Sequence, residues 1–162
     1  FTGASTQFFA NPMFVLRPST SYTLLDTPAT PTQGAINNNS TTSSYLFNDS
    51  SNTHLQTSST TTGAVSVVRA GAIKIEVNFI LEISTQNTDV TIRVYRKPAG
   101  GSAAAIETVV RTNVATGVMA IGFSLFTYCA ADAEDIYYQI GRNNGGGGAL
   151  NVNSTFTVTK LD

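Results

Sequence analysis

The residue types that carry out most enzyme chemistry are scarce in this sequence. His54 is the only histidine and Cys129 is the only cysteine among 162 residues. A Ser-His-Asp site would have to use His54, and a catalytic thiol would need a partner histidine. His54 lies in a Ser/Thr/Asn-rich stretch, and Cys129 ends an apolar run, where a small buried side chain is the usual finding. We therefore predict that the chain is not an enzyme and needs no cofactor.

One acidic cluster offers oxygen ligands of the kind that Ca²⁺ prefers. Asp132, Glu134 and Asp135 stand within four positions of one another, in a predicted turn. Calcium loops generally supply more ligands at fixed spacing, and an acidic turn is ordinarily solvated. We keep these three carboxylates as weak candidates for a metal and otherwise predict no metal site.

A second group of polar and basic residues falls in predicted loops or at the ends of predicted strands. Such positions commonly carry binding function, because a rigid scaffold presents them to solvent. An anionic glycan or a lipopolysaccharide phosphate could bind where Arg96 and Lys97 cluster with Arg93 and Arg111 of neighbouring strands. The candidates for a surface-binding site are His54, Arg96, Lys97, Arg142, Asn143 and Asn144.

Composition excludes several classes of partner. Charged residues make up 12% of the chain, and nine Lys and Arg against ten Asp and Glu give a net charge of -1. That balance leaves no electrostatic footprint for a nucleic-acid backbone. No apolar run approaches the ~18 residues of a membrane span, so we predict no membrane insertion. The chain begins at Phe1 rather than Met, and we expect that it derives from a longer one.

The pattern of apolar residues predicts the elements that must position these groups. Apolar and polar residues alternate through residues 72 to 83, with Ile80 as the one apolar exception on the polar phase, and this period of two predicts a long half-buried strand. No window shows a sustained helical period. The chain also contains 24 Thr, 15 Ser and 13 Asn, residues that suit strands and turns better than helix interiors. The nine predicted strands lie near Tyr22–Leu25, Tyr45–Phe47, Val65–Val68, 72–83, Val90–Val94, Ile106–Arg111, Gly117–Cys129, Ile136–Ile140 and Leu150–Thr159. We predict an all-β fold, an antiparallel jelly-roll sandwich over residues 22–162.

Residues 1–21 show no alternation, and we predict that they form an extended arm. A free arm would expose three large aromatic side chains to water, which is unfavourable. We therefore expect these side chains to dock on a neighbouring subunit: Phe8, Phe9 and Phe14. Tyr95 and Tyr137 fall on the polar phase of their strands and should point away from the core. Outward aromatic side chains favour a subunit contact, with sugar stacking as an alternative.

The order of landmarks resembles the trimeric jelly rolls of the complement globular-head and tumour-necrosis-factor superfamily, especially the versions on bacteriophage surface proteins. The similar segments are Thr62–Val65 with Val68–Gly71, Val90–Gly101, Leu125–Tyr138 and Asn153–Leu161. Ile73 stands where the family usually has an aromatic residue. The resemblance implies a homotrimer with the last strand, and so Phe156, near the threefold axis. Some members of the superfamily also bind calcium.

The sequence and this resemblance together predict a non-enzymatic structural protein on the outside of a bacteriophage virion. We expect a trimeric capsid decoration or head-fibre protein whose partner is the major capsid protein or another virion protein. The alternative is the receptor-binding head of a tail fibre or spike, in which loops near residues 49–62, 98–104 and 142–149 contact a host surface glycan or protein. A cell-surface adhesion or cytokine-like ligand also stays open, because one fold hosts many functions.

Overall fold

The structure is a computed structural model of the chain, and it describes residues 11–18, 22–24, 42–47, 53–58, 64–84, 88–130, 132–143 and 150–162. Within these residues all regular structure is β. The eleven strands are β1 (Met13–Pro18), β2 (Tyr22–Leu24), β3 (Thr42–Phe47), β4 (Leu55–Thr57), β5 (Val65–Val67), β6 (Gly71–Ile83), β7 (Thr88–Lys97), β8 (Ala104–Val114), β9 (Gly117–Cys129), β10 (Glu134–Asn143) and β11 (Leu150–Lys160).

The strands form two antiparallel sheets. The first sheet has the order β3-β1-β11-β6-β9, with β2 pairing on β11, and the second has the order β4-β5-β10-β7-β8. Most neighbours within a sheet are distant in sequence, as when β11 pairs with β6 from Leu150–Ile83 to Lys160–Ile73. This crossed-over order confirms the predicted all-β jelly-roll sandwich.

The core follows directly from the alternation in β6. Its inward residues, from Ile73 to Ile83, are buried at every second position, while the residues between them are half-buried or exposed. Tyr138 on the second sheet packs between two rings of the first, with centroids 5.0 Å from Phe79 and 5.5 Å from Phe156. The Tyr138 hydroxyl is 2.5 Å from Ser154 Oγ, so this buried polar group has a partner.

All nine predicted strands are present, and two further ones escape the sequence pattern. β1 lies within the predicted arm, yet it pairs with β11 and β3 inside the first sheet. The other, β4, is three residues long, too short to show alternation. The interpretation of residues 13–18 as part of an arm is therefore corrected, whereas residues 1–10 and 19–21 lie outside the described residues and stay a predicted arm.

The same correction applies to Phe14. It faces the core, is 3% exposed and lies opposite Val158 of its own chain. An apolar side chain that is buried within its own protomer has no surface to dock on a neighbour. In the part of the chain that the structure describes, no helix has the length and apolar character to cross a membrane.

Candidate binding cleft and exposed sheet face

A polar cleft lies on the outer side of the second sheet, at the end where β7 stops and β10 starts. Four residues in register across β4, β5, β10 and β7 form its floor: Gln56, Ser66, Asp135 and Lys97. The four residues are directly paired from strand to strand, so the pleat turns all four to the same face of the sheet. The volume of the cleft is about 480 Å³.

The turn after β7 forms one wall of the cleft. It runs from Pro98 to Gly101, and the Gly101 amide donates to the Pro98 carbonyl at 3.0 Å. Gly100 has φ of 69°, a left-handed conformation in which a glycine is favoured. The predicted Pro98–Gly101 turn is thus present, and its backbone lies open beside the polar floor.

Asp135 is the most deeply placed charged group of the floor. Its residue is 4% exposed, and its Oδ2 accepts a hydrogen bond of 2.7 Å from Ser58 Oγ on the rim. A carboxylate has about four lone-pair sites, so it can accept further hydrogen bonds from a ligand while it keeps this one. Lys97, directly opposite on β7, supplies a cation of opposite sign. The cleft therefore offers both donors and acceptors without an excess of either charge.

Two tyrosines continue the outer face next to this row. Tyr95 and Tyr137 are directly paired across β7 and β10 and stack with centroids 5.3 Å apart and an angle of 11°. Burial first, and then the neighbouring Tyr95 and Asp135, raise the pKa of the Tyr137 phenol. Both side chains lie on the outward phase, as predicted, but Tyr137 is only 3% exposed. Their subunit contact stays a prediction, and the surface available for it belongs to Tyr95.

The first sheet presents a different kind of surface. Four large apolar side chains project outward from β6 and β9 with high exposure, and we call them the apolar band: Ile80 at 52%, Val118 at 74%, Phe126 at 68% and Tyr128 at 57%. Among the described strands β9 pairs only with β6, so the band borders an edge strand of the sheet as described. Long apolar edge strands are aggregation sites unless something covers them.

The described remainder of this outer face carries three charged residues of β6: Lys74, Glu76 and the exposed Glu82. Lys74 and Glu76 of β6 form an ion pair of 2.9 Å with each other. The facing positions of β11, in register with them, are Thr157 and Thr159. A hydroxyl-rich face with few charges offers little electrostatic repulsion to an identical copy of itself.

Arg96 connects the two sheets instead of projecting into solvent. Its Nη1 donates to the Tyr128 carbonyl of β9 at 2.8 Å, and its Nε lies 3.3 Å from Oε2 of the buried Glu134. Burial, followed by the charge of Glu134, raises the pKa of the Cys129 thiol to about 12. Cys129 is buried, as the sequence predicts, and the raised pKa disfavours the reactive thiolate form.

The three carboxylates of the acidic turn diverge. Asp132 accepts from the Ala70 amide at 2.9 Å, Glu134 faces Arg96 inside, and Asp135 enters the cleft. Among the described residues no group of three or more metal-ligating side chains converges. The turn itself is strained at Ala133, whose φ is 61°.

The remaining predicted site residues fall in different places. Lys97 lines the cleft, whereas His54 is half-buried beside β4 with its Nδ1 2.9 Å from Thr53 Oγ1. Phe156 is completely buried in the core, so it has no surface for a subunit contact. Asn143 ends β10. Phe8, Phe9, Asn144 and the side chains of Arg142 and Asn143 lie outside what the structure describes.

The predicted binding loop near residues 49–62 contains Gln56 and Ser58, although sequence reasoning did not single them out, and it did not identify Ser66. They are ordinary polar residues in a Ser/Thr-rich stretch, and only strand pairing brings them to Asp135. For the apolar band one signal existed, since Ile80 breaks the alternation of β6 toward the polar side.

No protein-family model and no curated protein matches this sequence. Solved structures with a similar fold do exist. The chain is similar to the Eiger TNF of S. frugiperda, with 10% identity, a TM-score of 0.59 and 94% of each chain covered. Murine APRIL at pH 5.0 has 13% identity and a TM-score of 0.59 over 94% of this chain and 100% of that one. The globular domain of zebrafish complement 1qA has 10% identity and a TM-score of 0.57, over 94% and 98%. These likenesses show that the fold is the jelly roll of tumour necrosis factor and complement C1q domains.

Proposed function

We propose that the chain is a non-enzymatic structural protein that assembles as a homotrimer through the outer face of its first sheet. The observation that carries the proposal is the apolar band, which leaves four large side chains more than half exposed on one sheet. The four side chains form two apolar patches near opposite ends of β9, Ile80 with Val118 and Phe126 with Tyr128, and exposed apolar patches mark interaction sites. Covering it removes apolar area from water, which is the main driving force for association.

The occupant that fits the band is another copy of this chain. The band lies at a sheet edge, whereas the neighbouring face of β6 and β11 carries the Lys74–Glu76 ion pair and a row of hydroxyl groups. Packing the edge of one copy against the face of the next is a head-to-tail contact. Such contacts form a closed ring when the rotation that relates successive copies divides a full turn evenly. The resemblance of the sequence to trimeric jelly rolls supports three subunits in the ring.

The trimer belongs, in this proposal, on the outside of a bacteriophage virion as a capsid decoration or head-fibre protein. The resemblance to phage surface proteins and the low content of charge, 12% of residues, support this placement. Its partners would be the major capsid protein or another virion protein, and the predicted aromatic arm would dock on them. Purified capsids that take up the protein to saturation at symmetric sites would be the expected finding.

The assembly is tested by light scattering on Phe126→Asp. We expect a mass near three times 17.1 kDa for the unchanged chain and a monomer for the variant. The substitution removes a large aromatic side chain and places a charge in an apolar contact, and truncation of a central interface aromatic costs about 2 kcal/mol or more.

Ser102→Asp is the matched control, because it adds the same charge at an exposed position between β7 and β8. Circular dichroism of both variants should be unchanged, since Phe126 is 68% exposed within one protomer. If Phe126→Asp is still a trimer, the apolar band is not part of the subunit interface.

The cleft favours a second candidate, the receptor-binding head of a tail fibre or spike. Two of the loops that the sequence assigned to binding, near residues 49–62 and 98–104, contribute Ser58 and the Pro98–Gly101 turn to it. In that placement a host surface glycan or protein would be the partner. If the protein does not bind host cells but binds capsids to saturation, the capsid-decoration proposal is favoured over the receptor-binding one.

A further inference from the structure

We propose that the cleft on the second sheet is a binding site for a neutral saccharide, with Asp135 as its principal acceptor. This inference deepens the receptor-binding candidate and rests on it for its biological setting. Its physical basis is independent of assembly, because every group that forms the cleft comes from one chain.

The size and lining of the cleft fit a hydroxyl-rich ligand. A volume of about 480 Å³ lies within the ~300–1,000 Å³ of small-molecule sites. Four polar side chains of the floor stand in one row across the sheet, with neighbouring Cβ atoms ~5 Å apart, so the row spans ~15 Å. A sugar presents hydroxyl groups that each donate and accept, which matches a row of alternating amide, hydroxyl, carboxylate and ammonium groups.

The charges of the floor select against an anion. Lys97 is balanced by Asp135, which is 4% exposed and lies directly across the strand pair. A phosphate or sulfate that approached Lys97 would also meet this carboxylate, and like charges so close together repel strongly in a partly desolvated site. A hydroxyl group, by contrast, can donate to the carboxylate at about twice the strength of a neutral hydrogen bond.

The geometry of Asp135 is preset for such a contact. The hydrogen bond of 2.7 Å from Ser58 holds Oδ2 in place, and the backbone of β10 fixes the side chain on a sheet instead of a loop. A site of this kind loses less conformational entropy when the ligand binds. The open backbone of Gly100 and Gly101 forms the rim, where a sugar ring can approach without side-chain obstruction.

The position of the cleft allows several copies of the chain in one assembly to bind ligand at the same time. It lies on the outer side of the second sheet, whereas the apolar band lies on the outer side of the first. Assembly through the band would leave one cleft per copy facing outward. Several weak sites on one rigid particle give high avidity on a surface that carries many copies of the sugar.

The test uses the full chain labelled with ¹⁵N, and its amide shifts are followed by NMR during titration with methyl glycosides of glucose, galactose, rhamnose and N-acetylglucosamine, and with inorganic phosphate as the anion probe. We expect at least one glycoside to bind with a Kd in the millimolar range. Amide shift changes should be confined to Gly100, Gly101 and the start of β10. Asp135→Asn should weaken binding about tenfold or more, because an amide replaces a charged acceptor.

Ala99→Leu is the second variant, because this exposed turn residue lines the cleft without a polar role. It should block binding while the fold is retained. Ala115→Leu is its matched control, an exposed alanine at the opposite end of β7 and β8. This control should bind as the unchanged chain does.

Three results would overturn the proposal: no glycoside binding, glycoside shifts that lie away from the cleft, or binding of phosphate in place of the sugars. The light-scattering mass of the same samples reports separately on the trimer. A trimer that binds no sugar would reject the cleft alone, and a monomer that binds would reject the assembly alone.

Discussion

At the scale of single residues, the end of β11 is locked to the start of β6 by a buried lysine. Lys160 is 2% exposed, and its Nζ pairs with the Asp162 carboxylate and donates to the Ala70 carbonyl at 3.2 Å. The same carboxylate accepts from the Ala72 amide at 3.1 Å. Gly71 has φ of 147° and leaves room for the pair, since a Cβ there would overlap both charged groups. One missing side chain therefore permits a buried charge to be satisfied.

Gly71→Ala should lower the free energy of unfolding by about 1–3 kcal/mol, because it combines backbone strain with displacement of the Lys160–Asp162 pair. The measurement is urea unfolding followed by circular dichroism. Gly117→Ala is the matched control, as its φ is 126° but nothing lies within 4 Å of the added carbon. Equal losses in the two variants would show that the displaced ion pair contributes nothing.

The Asp162 contact also gives a prediction for pH. The hydrogen bond from Lys160, and next that from the Ala72 amide, lower the pKa of Asp162 below its ordinary value of 3.8. A carboxyl group whose pKa is lowered in the folded state contributes stability above its unfolded pKa. That contribution is lost as the pH falls below 3.8 through the folded value.

Asp162→Asn should therefore be less stable than the unchanged chain at pH 7, and this difference should shrink at low pH. Urea unfolding at pH 7, 4 and 3 measures it. A difference between the two proteins that stays constant over this range would argue against the ion pair as its cause.

At the scale of elements, Arg96 fastens three strands at the end of the sandwich. β7 and β10 belong to the second sheet and β9 to the first, and the Arg96 guanidinium reaches Glu134 on β10 and the Tyr128 carbonyl on β9. Arg is suited to this position because its planar group donates in several directions at once. The sequence assigned Arg96 to a binding surface, but in the structure its contacts hold the sheets together.

Arg96→Gln should destabilise the fold by about 2 kcal/mol, because it leaves the buried Glu134 carboxylate without its cation. The value is below that of a fully buried pair, since the Arg96 side chain is 32% exposed. Thermal and urea unfolding measure the loss, with Arg93→Gln of the same strand as the control. Adding Glu134→Gln should recover part of the stability, and failure to recover any would mean that the ion pair is not the cause.

At the scale of the whole molecule, the two sheets present surfaces of opposite character. The first has the apolar band at its edge, and the second has the polar cleft, so assembly and ligand binding need not compete. β1 belongs to the first sheet, and the Pro12 carbonyl accepts from the Lys160 amide at 2.8 Å. A truncation that tests the predicted arm must therefore stop before residue 11.

Deletion of residues 1–10 should leave the assembly intact, with a light-scattering mass near three times that of the shortened chain. The reason is that the apolar band and both sheets are retained. Deletion through Pro18 is the comparison, and it should unfold the chain by removing β1. A monomer after the shorter deletion would instead make the arm the clamp that holds the subunits together.

The sequence by itself determined the fold class and nine of the strands. Period-two alternation depends only on the pleat, which turns successive side chains to opposite faces, and β6 shows it without an alignment or a structure. The strand β1 was not recoverable in this way. Its pairing with β11 joins residues 140 to 146 positions apart in sequence, and the short apolar run Met13–Leu16 does not reveal which strand it pairs with.

Only the tertiary structure decided what the polar and aromatic residues do. Asp135 and Glu134 are neighbours in sequence, yet the pleat sends one to the cleft and the other to Arg96 inside. The partners of each come from distant strands whose register no local pattern encodes. Ile80 combines both sources of information. The sequence shows an apolar residue at a polar position of the alternation, but its place in the apolar band depends on β9 lying beside β6.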